Sequence, residues 1–369
     1  MRARTVGRFR IVHKWSSLVC TAFLLTACLT GLPLIFGDEI EQLAAGAPSR
    51  PTVETSPERS LDELVRSVRE RYPDAFLQFV FWPDERRDAL GIGIANRLDA
   101  SDEDVRRLLV NLRTGAIEDQ RDEGRLIRFA RELHENLFLG PIGSIVLGVA
   151  AAALLVSLVS GVAVYRPFMR RLDFGAVRGG SLRLAWLDRH NLIGIATLVW
   201  VVVVGATGFV NTLEERLFAA WQAERVPALM APYAHRPPAS HLSSLEGTVR
   251  TARGALAGMA PASVTFPGTR FATPRHYFVW MHGTTSLTKR LFTPVLIDAE
   301  SGALASAESL PWYLRLLEVC RPLHFGDYGG LPLKLIWAAM DLLLVVLTAS
   351  GAYLWLAGGA RVAQESSSR

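Results

Sequence analysis

The chain has 369 residues, half of them hydrophobic, with a positive mean hydropathy and a net charge of +5. So small a basic excess makes no argument for a nucleic-acid partner. Three cysteines, two of them inside an apolar run, exclude a disulfide framework in the loops.

A helix needs about 20 apolar residues to cross a hydrocarbon layer of roughly 30 Å. Four segments qualify. Trp15–Gly37, Asn136–Tyr165 and Asn191–Leu213 contain no Asp, Glu, Lys or Arg, and Leu335–Leu356 contains only Asp341. The sequence therefore predicts a membrane α-helical protein with four transmembrane helices.

In chain order, residues 1–14 are a basic start with Arg2, Arg4, Arg8, Arg10 and Lys14, expected in the cytoplasm by the positive-inside rule. The first span, 15–37, opens on Trp15, a ring suited to the interface. Leu25-Thr26-Ala27-Cys28 after a basic start resembles a lipoprotein signal. Against cleavage, the apolar run continues to Phe36. Residues 38–135 form a first outer module. Its stretch from Ala47 to Pro57 reads as a linker, and Ser60–Tyr72 as an amphipathic helix behind a Ser cap, with Leu61, Leu64, Val65 and Val68 on one face. Strands are predicted at Phe76–Phe81, Ala89–Ile94 and Leu108–Leu112, with a turn at Thr114-Gly115.

The second span, 136–165, leads into a basic loop, 166–190, carrying Arg166, Arg170, Arg171, Arg178, Arg183 and Arg189, again cytoplasmic. The third span is 191–213. A second outer module, 214–330, follows the plan of the first: a helix near Leu245–Leu256, strands at Ser263–Phe266, His276–Met281 and Leu291–Ile297, and a turn at Ser301-Gly302. The fourth span, 331–357, precedes a tail, 358–369, with Arg361 and Arg369. Both termini are thus expected in the cytoplasm, with two large periplasmic loops. The expected fold is two parallel two-helix repeats, each with a small α+β module.

The repeat is sharpest in four histidines. His134 precedes Ser160-Gly161, and His324 precedes Ser350-Gly351, each Ser 26 positions after its His (160−134 and 350−324). His13 precedes Thr30-Gly31, and His190 precedes Thr207-Gly208, each Thr 17 positions on (30−13 and 207−190). His13 and His190 fall at the cytoplasmic side, and His134 and His324 at the periplasmic side. Neutral imidazole is an axial ligand of haem iron, and two of them complete its coordination. One histidine from each repeat at each side predicts two b-type haems with bis-histidine ligation. The bland alternative is four interfacial caps or anchors.

His13-Lys14-Trp15 at the first span, the Thr-Gly-containing outer modules, and Leu-His before an apolar span ending in Ser-Gly resemble the PepSY-associated transmembrane-helix family. The resemblance runs from about Arg8 to Leu356. That family includes iron-regulated inner-membrane proteins and ferric-siderophore reductases. The resemblance implies a haem-bearing inner-membrane enzyme that passes electrons outward to a ferric siderophore. Some relatives carry a fused flavin or nicotinamide domain. Here only 13 residues follow Leu356, so a separate cytoplasmic or quinol electron donor is expected.

Asp341 is the second candidate. A carboxylate inside a membrane is a functional hypothesis by default, as proton relay, quinol contact or cation partner; the bland reading is a bond to a neighbouring helix. Alternation in the strand from Arg275 places His276, Phe278, Trp280 and His282 on one face. That face meets a siderophore or a metal, or is sheet core. Asp84-Glu85 and Asp102-Glu103-Asp104 read as solvated loop and helix start. Two rivals to the reductase are a non-catalytic PepSY-type binding or regulatory module, and a siderophore or metal transporter. Four helices with one buried charge offer a transporter little polar lining.

Overall fold

The computed structural model describes residues 3–45, 57–84, 86–120, 123–166, 174–233, 235–270 and 272–367. The linker predicted near Ala47–Pro57 falls almost wholly outside them, as do Glu85, Arg170 and Arg171. The chain begins with α1 (Ala3–Ile35) and α2 (Gly37–Ala45), then α3 (Leu61–Arg71) and strands β1 (Phe76–Phe81), β2 (Ala89–Ala95), β3 (Arg106–Asn111) and β4 (Ile117–Asp119). Next come α4 (Arg125–Asn136), α5 (Pro141–Tyr165), α6 (Leu182–Asn211), α7 (Glu214–Met230) and α8 (Leu245–Ala255). Strands β5 (Met259–Thr265), β6 (His276–Gly283), β7 (Phe292–Asp298) and β8 (Leu304–Ala307) precede α9 (Trp312–Phe325) and α10 (Gly330–Ser367). Two compact units result. A helical unit comprises Met1–Ala47, Glu123–Arg216 and Cys320–Arg369, and a sheet unit comprises Pro48–Asp122 and Leu217–Val319.

In the helical unit four helices are long and apolar enough to cross a membrane: Arg4–Ile35, Pro141–Tyr165, Leu182–Asn211 and Asp327–Ala357. α1 packs on α5 and α10, and α6 packs on the same two, so α1 and α6 stand diagonally opposite. The distribution of side chains is inverted relative to a water-soluble bundle. Gly148, Ala150, Ser157 and Ser160 of α5 are buried, whereas Val159 is 68% exposed and Val199 of α6 is 77% exposed. Small and hydroxylated residues inside with large apolar ones outside are the pattern of helices packed in lipid, where close backbone approach drives association.

Each long helix differs from the predicted span in a way that matters for the histidines. α1 and α6 start well before their apolar runs, so His13 and His190 lie within helices and not at their heads. His134 and His324 belong to separate helices, α4 and α9. Leu137 and Phe138 turn the chain between α4 and α5 with φ of 55° and 59°. Such left-handed non-glycine backbone costs of order 1–3 kcal/mol per residue, held here beside a candidate ligand.

The sheet unit corrects one expectation. The two predicted modules are not separate bodies; their strands form one eight-stranded antiparallel sheet in the order β4-β3-β2-β1-β5-β6-β7-β8. β1 and β5, the first strand of each half, pair at the centre. Ser60 caps α3 in a capping box with Glu63. The halves also cap each other: Asp62 accepts from the Leu245 amide and the Ser244 hydroxyl, and Glu246 accepts from the Leu61 amide. α3 and α8 contribute Leu64, Val68, Val249 and Ala252 to a core shared with Leu90, Ile92, Val264, Val279 and Ile297. Gly115 and Gly302 take positive φ at the two predicted turns.

Candidate functional site

The four histidines meet one kind of receptor. Nδ1 of His13 lies 2.9 Å from the Ser157 carbonyl, that of His134 3.0 Å from Ala27, that of His190 3.1 Å from Leu347, and that of His324 3.0 Å from Val204. A carbonyl oxygen only accepts, so each Nδ1 carries the proton and donates it. In the neutral ring Nε2 then keeps its lone pair, and it takes part in none of these bonds. Three positions past each receiving carbonyl stands Ser160, Thr30, Ser350 or Thr207, and four past it stands Gly161, Gly31, Gly351 or Gly208.

Those small residues let the ring in. A Cβ added at Gly208 would lie 2.9 Å from Cε1 of His324, and one at Gly161 3.0 Å from Cε1 of His13. At Gly31 and Gly351 the corresponding distances are 3.2 Å and 3.3 Å, to His134 and His190. The hydroxyls hold the rings further. Thr30 Oγ1 donates to the Thr26 carbonyl and is 3.0 Å from Nδ1 of His134; Ser350 Oγ is 2.9 Å from Nδ1 of His190. Thr207 Oγ1 is 3.3 Å from Nδ1 of His324. At His13 the hydroxyl in reach is Ser157 at 3.3 Å, while Ser160 donates to the same carbonyl that receives the ring.

The matched spacings of Thr-Gly and Ser-Gly thus have a physical cause. Each glycine receives a histidine from another helix: Gly161 of α5 takes His13 of α1 and Gly31 of α1 takes His134 of α4, while Gly351 of α10 takes His190 of α6 and Gly208 of α6 takes His324 of α9. Sequence reading found the spacings but not which ring each glycine receives. Helix pairing, not spacing along one strand of sequence, decides that.

The structure brings His134 and His324 together, one of the two pairs expected from the sequence. The rings of His134 and His324 have centroids 6.1 Å apart at 61°. Imidazole-to-metal bonds are about 2 Å long, so two rings facing across one metal ion have centroids somewhat more than about 4 Å apart. The observed spacing is of that order, and the donor set fits a bis-histidine metal centre. His13 and His190 are close enough for their charges to interact. The two levels are 14 positions apart on α1 (27−13) and on α6 (204−190), an axial separation of about 21 Å at 1.5 Å per residue. The levels therefore lie inside the bundle and not at the extreme ends of the helices.

Trp337 ties the outer end together: its indole N–H donates to the carbonyls of Leu323 and His324 at 3.2 Å, anchoring the end of α9 on α10. Trp200 meets it at 6.4 Å, in a core with Cys28, Val201 and Leu344. Asp341 is placed on α10 with the Cys28 thiol against its carboxyl, and Cys28 directly follows Ala27, whose carbonyl receives His134. The aromatic strand face is packed on the side of β6 opposite Tyr277, Val279 and Met281, which enter the shared core. Trp280 packs on Phe278 at 5.1 Å and on Phe292 at 6.4 Å, and Phe218 of α7 covers it at 6.1 Å. His276 is fully buried, its Nδ1 3.0 Å from the Thr273 hydroxyl. α7 was not expected from the sequence, since Pro227 interrupts its pattern. Asp102 pairs with Arg107 and Asp104 accepts from Ser101, as solvated turn residues. No cluster of three or more metal-ligating side chains occurs among the described residues.

Comparison with known proteins agrees with this architecture. Residues 10–357 match the model of the PepSY-associated TM region. Over 257 residues the chain is 29% identical to the uncharacterized protein PA4219 of Pseudomonas aeruginosa; the match spans 61% of this chain and 61% of that protein's length. With the family model matched from the first long helix to the last, the chain is a member of the PepSY-associated transmembrane family.

Proposed function

We infer that the protein is a di-haem inner-membrane reductase, built as two parallel repeats, that passes electrons across the membrane to ferric siderophore iron in the periplasm. One observation carries the reading: four histidines in facing pairs, each donating Nδ1–H to a carbonyl and keeping an Nε2 lone pair. Structural caps have no need of one tautomer repeated four times. Haem b held by His13 with His190, and by His134 with His324, supplies one-electron chemistry at each level when bound.

The chain's own residues do the rest. The carbonyl bonds fix each ring's rotation and raise its basicity, and the hydroxyls of Thr30, Ser350 and Thr207 reinforce them. The lipid-facing apolar surface excludes water from the bundle. Short basic segments at 1–14 and 166–190 orient the His13/His190 level toward the cytoplasm, where a separate donor or a quinol delivers electrons. The acceptor is then met on the His134/His324 side. Hydroxamate and catechol oxygens are hard donors that favour Fe(III) over Fe(II), so reduction releases the metal.

To test this, dithionite-reduced protein in detergent is mixed with a ferric hydroxamate in the presence of a ferrous-specific chromophore. Reoxidation with stoichiometric Fe(II) is expected, and its loss in His324→Ala. A reduced protein that no ferric chelate reoxidises would refute the activity and favour a regulatory module.

A further inference from the structure

Asp341 is the only carboxyl in the four apolar segments. It is 7% exposed, and its Oδ2 has no hydrogen-bond partner. In the same core the Trp200 indole N–H also lacks an acceptor. Among the described residues no cation offsets the carboxyl. Of the elements packed on α10, α1 offers the Cys28 thiol against it and Cys20 further along, and α6 has no ionisable side chain between His190 and its end at Asn211. The short turn Asp327–Gly329 begins 14 residues up-chain (341−327), about 21 Å of helix rise. Lys334, seven residues before Asp341 on α10 (341−334), is already bound by Glu39 at 2.9 Å and Asp38 at 3.8 Å. His324, on α9, uses its Nδ1 on Val204.

A lone carboxylate in such surroundings is costly, whereas the neutral acid is not. An electron entering the same low-dielectric interior adds a second negative charge, and a proton taken up nearby offsets it. We propose that Asp341 is the proton-binding residue of the electron path, gaining one proton when a first electron enters the bundle and losing it when that electron leaves.

The balance is simple. One electron from a one-electron reductant and one proton from bulk water give the reduced centre and an O–H on Asp341. Transfer of that electron to an Fe(III) complex yields Fe(II) and returns the proton. Among the described residues the partner of the Asp341 carboxyl is the Cys28 thiol and not a histidine, so Asp341 acts on the potential and not as a catalytic residue. The proposal rests on the haem reading above, and the two fail differently: a colourless protein sinks the haem reading, while a haem protein with pH-independent potentials sinks only this one.

The experiment is a spectroscopic redox titration of the full-length protein between pH 6 and 9 (a range of about three units, across which one proton per electron shifts the equilibrium tenfold per unit, about 59 mV). At least one midpoint potential is expected to fall with pH, to keep falling in Cys28→Ala, and to become flat in Asp341→Asn. A flat wild type, or an Asn variant that keeps the slope, overturns the assignment. Should Asp341→Asn fail to bind haem, the redox-difference infrared spectrum of the wild type decides. A carboxylic C=O band that appears on reduction and shifts in D2O supports the proposal, and its absence refutes it.

Discussion

At His324 a single methyl group decides the geometry. The ring is fixed on one side by its bond to the Val204 carbonyl and faces Gly208 on the other. Gly208→Ala puts a Cβ 2.9 Å from Cε1, closer than packed carbons tolerate, so the ring or the helix must move at a cost of about 1–3 kcal/mol. Gly351→Ala, at 3.3 Å from His190, is milder. The expected outcome is haem occupancy reduced more by Gly208→Ala than by Gly351→Ala, read as haem-to-protein ratio; the reverse order would contradict the notch geometry. A residue-scale pH dependence belongs to the sheet unit. Burial acts to raise the Asp298 pKa, but the Ser301 amide and hydroxyl, the Arg275 guanidinium and the Glu300 amide hold it down to about 2. The folded pKa is thus below the unfolded value of about 3.9, so its contribution is present above that value and is lost as pH falls through about 2. Thermal melts of the sheet signal should drop over that window, and drop less in Asp298→Asn. An equal drop in the variant would show that Asp298 is not responsible.

Among the elements, α3 and α8 test how the two halves of the sheet unit hold together. Asp62→Ala removes the acceptor for two donors at the start of α8, and Glu246→Ala the acceptor for the Leu61 amide of α3. Each change is expected to cost about 1 kcal/mol, the usual loss for a helix cap, seen as a lower urea midpoint of the sheet signal; unchanged midpoints would contradict the reciprocal capping. Elements with a strong local period were legible in the sequence: Phe76–Phe81 is β1 residue for residue, and the helix behind Ser60 is α3. α4, α7 and α9 were not. Their residues are short, charged or interrupted by Pro227 and Pro322, and tertiary contacts hold them helical. The central β1–β5 pairing joins residues about 185 positions apart (264−80, for Val80 and Val264), and no local pattern announces such a partner.

On the scale of the molecule, the spans and the meeting of His134 with His324 were legible, because apolar length and repeat spacing survive in one dimension. The receiving carbonyls were not, since they are backbone atoms of another helix. The account's central claim is that these two pairs each hold one haem, about 21 Å apart along the helices. The most direct test is the visible spectrum and haem-to-protein ratio of the detergent-purified protein, beside His324→Ala and His190→Ala. Two low-spin b haems per chain in the wild type and one in each variant are predicted. A protein that stays colourless when expressed with ample haem, or variants that retain both, would contradict the account.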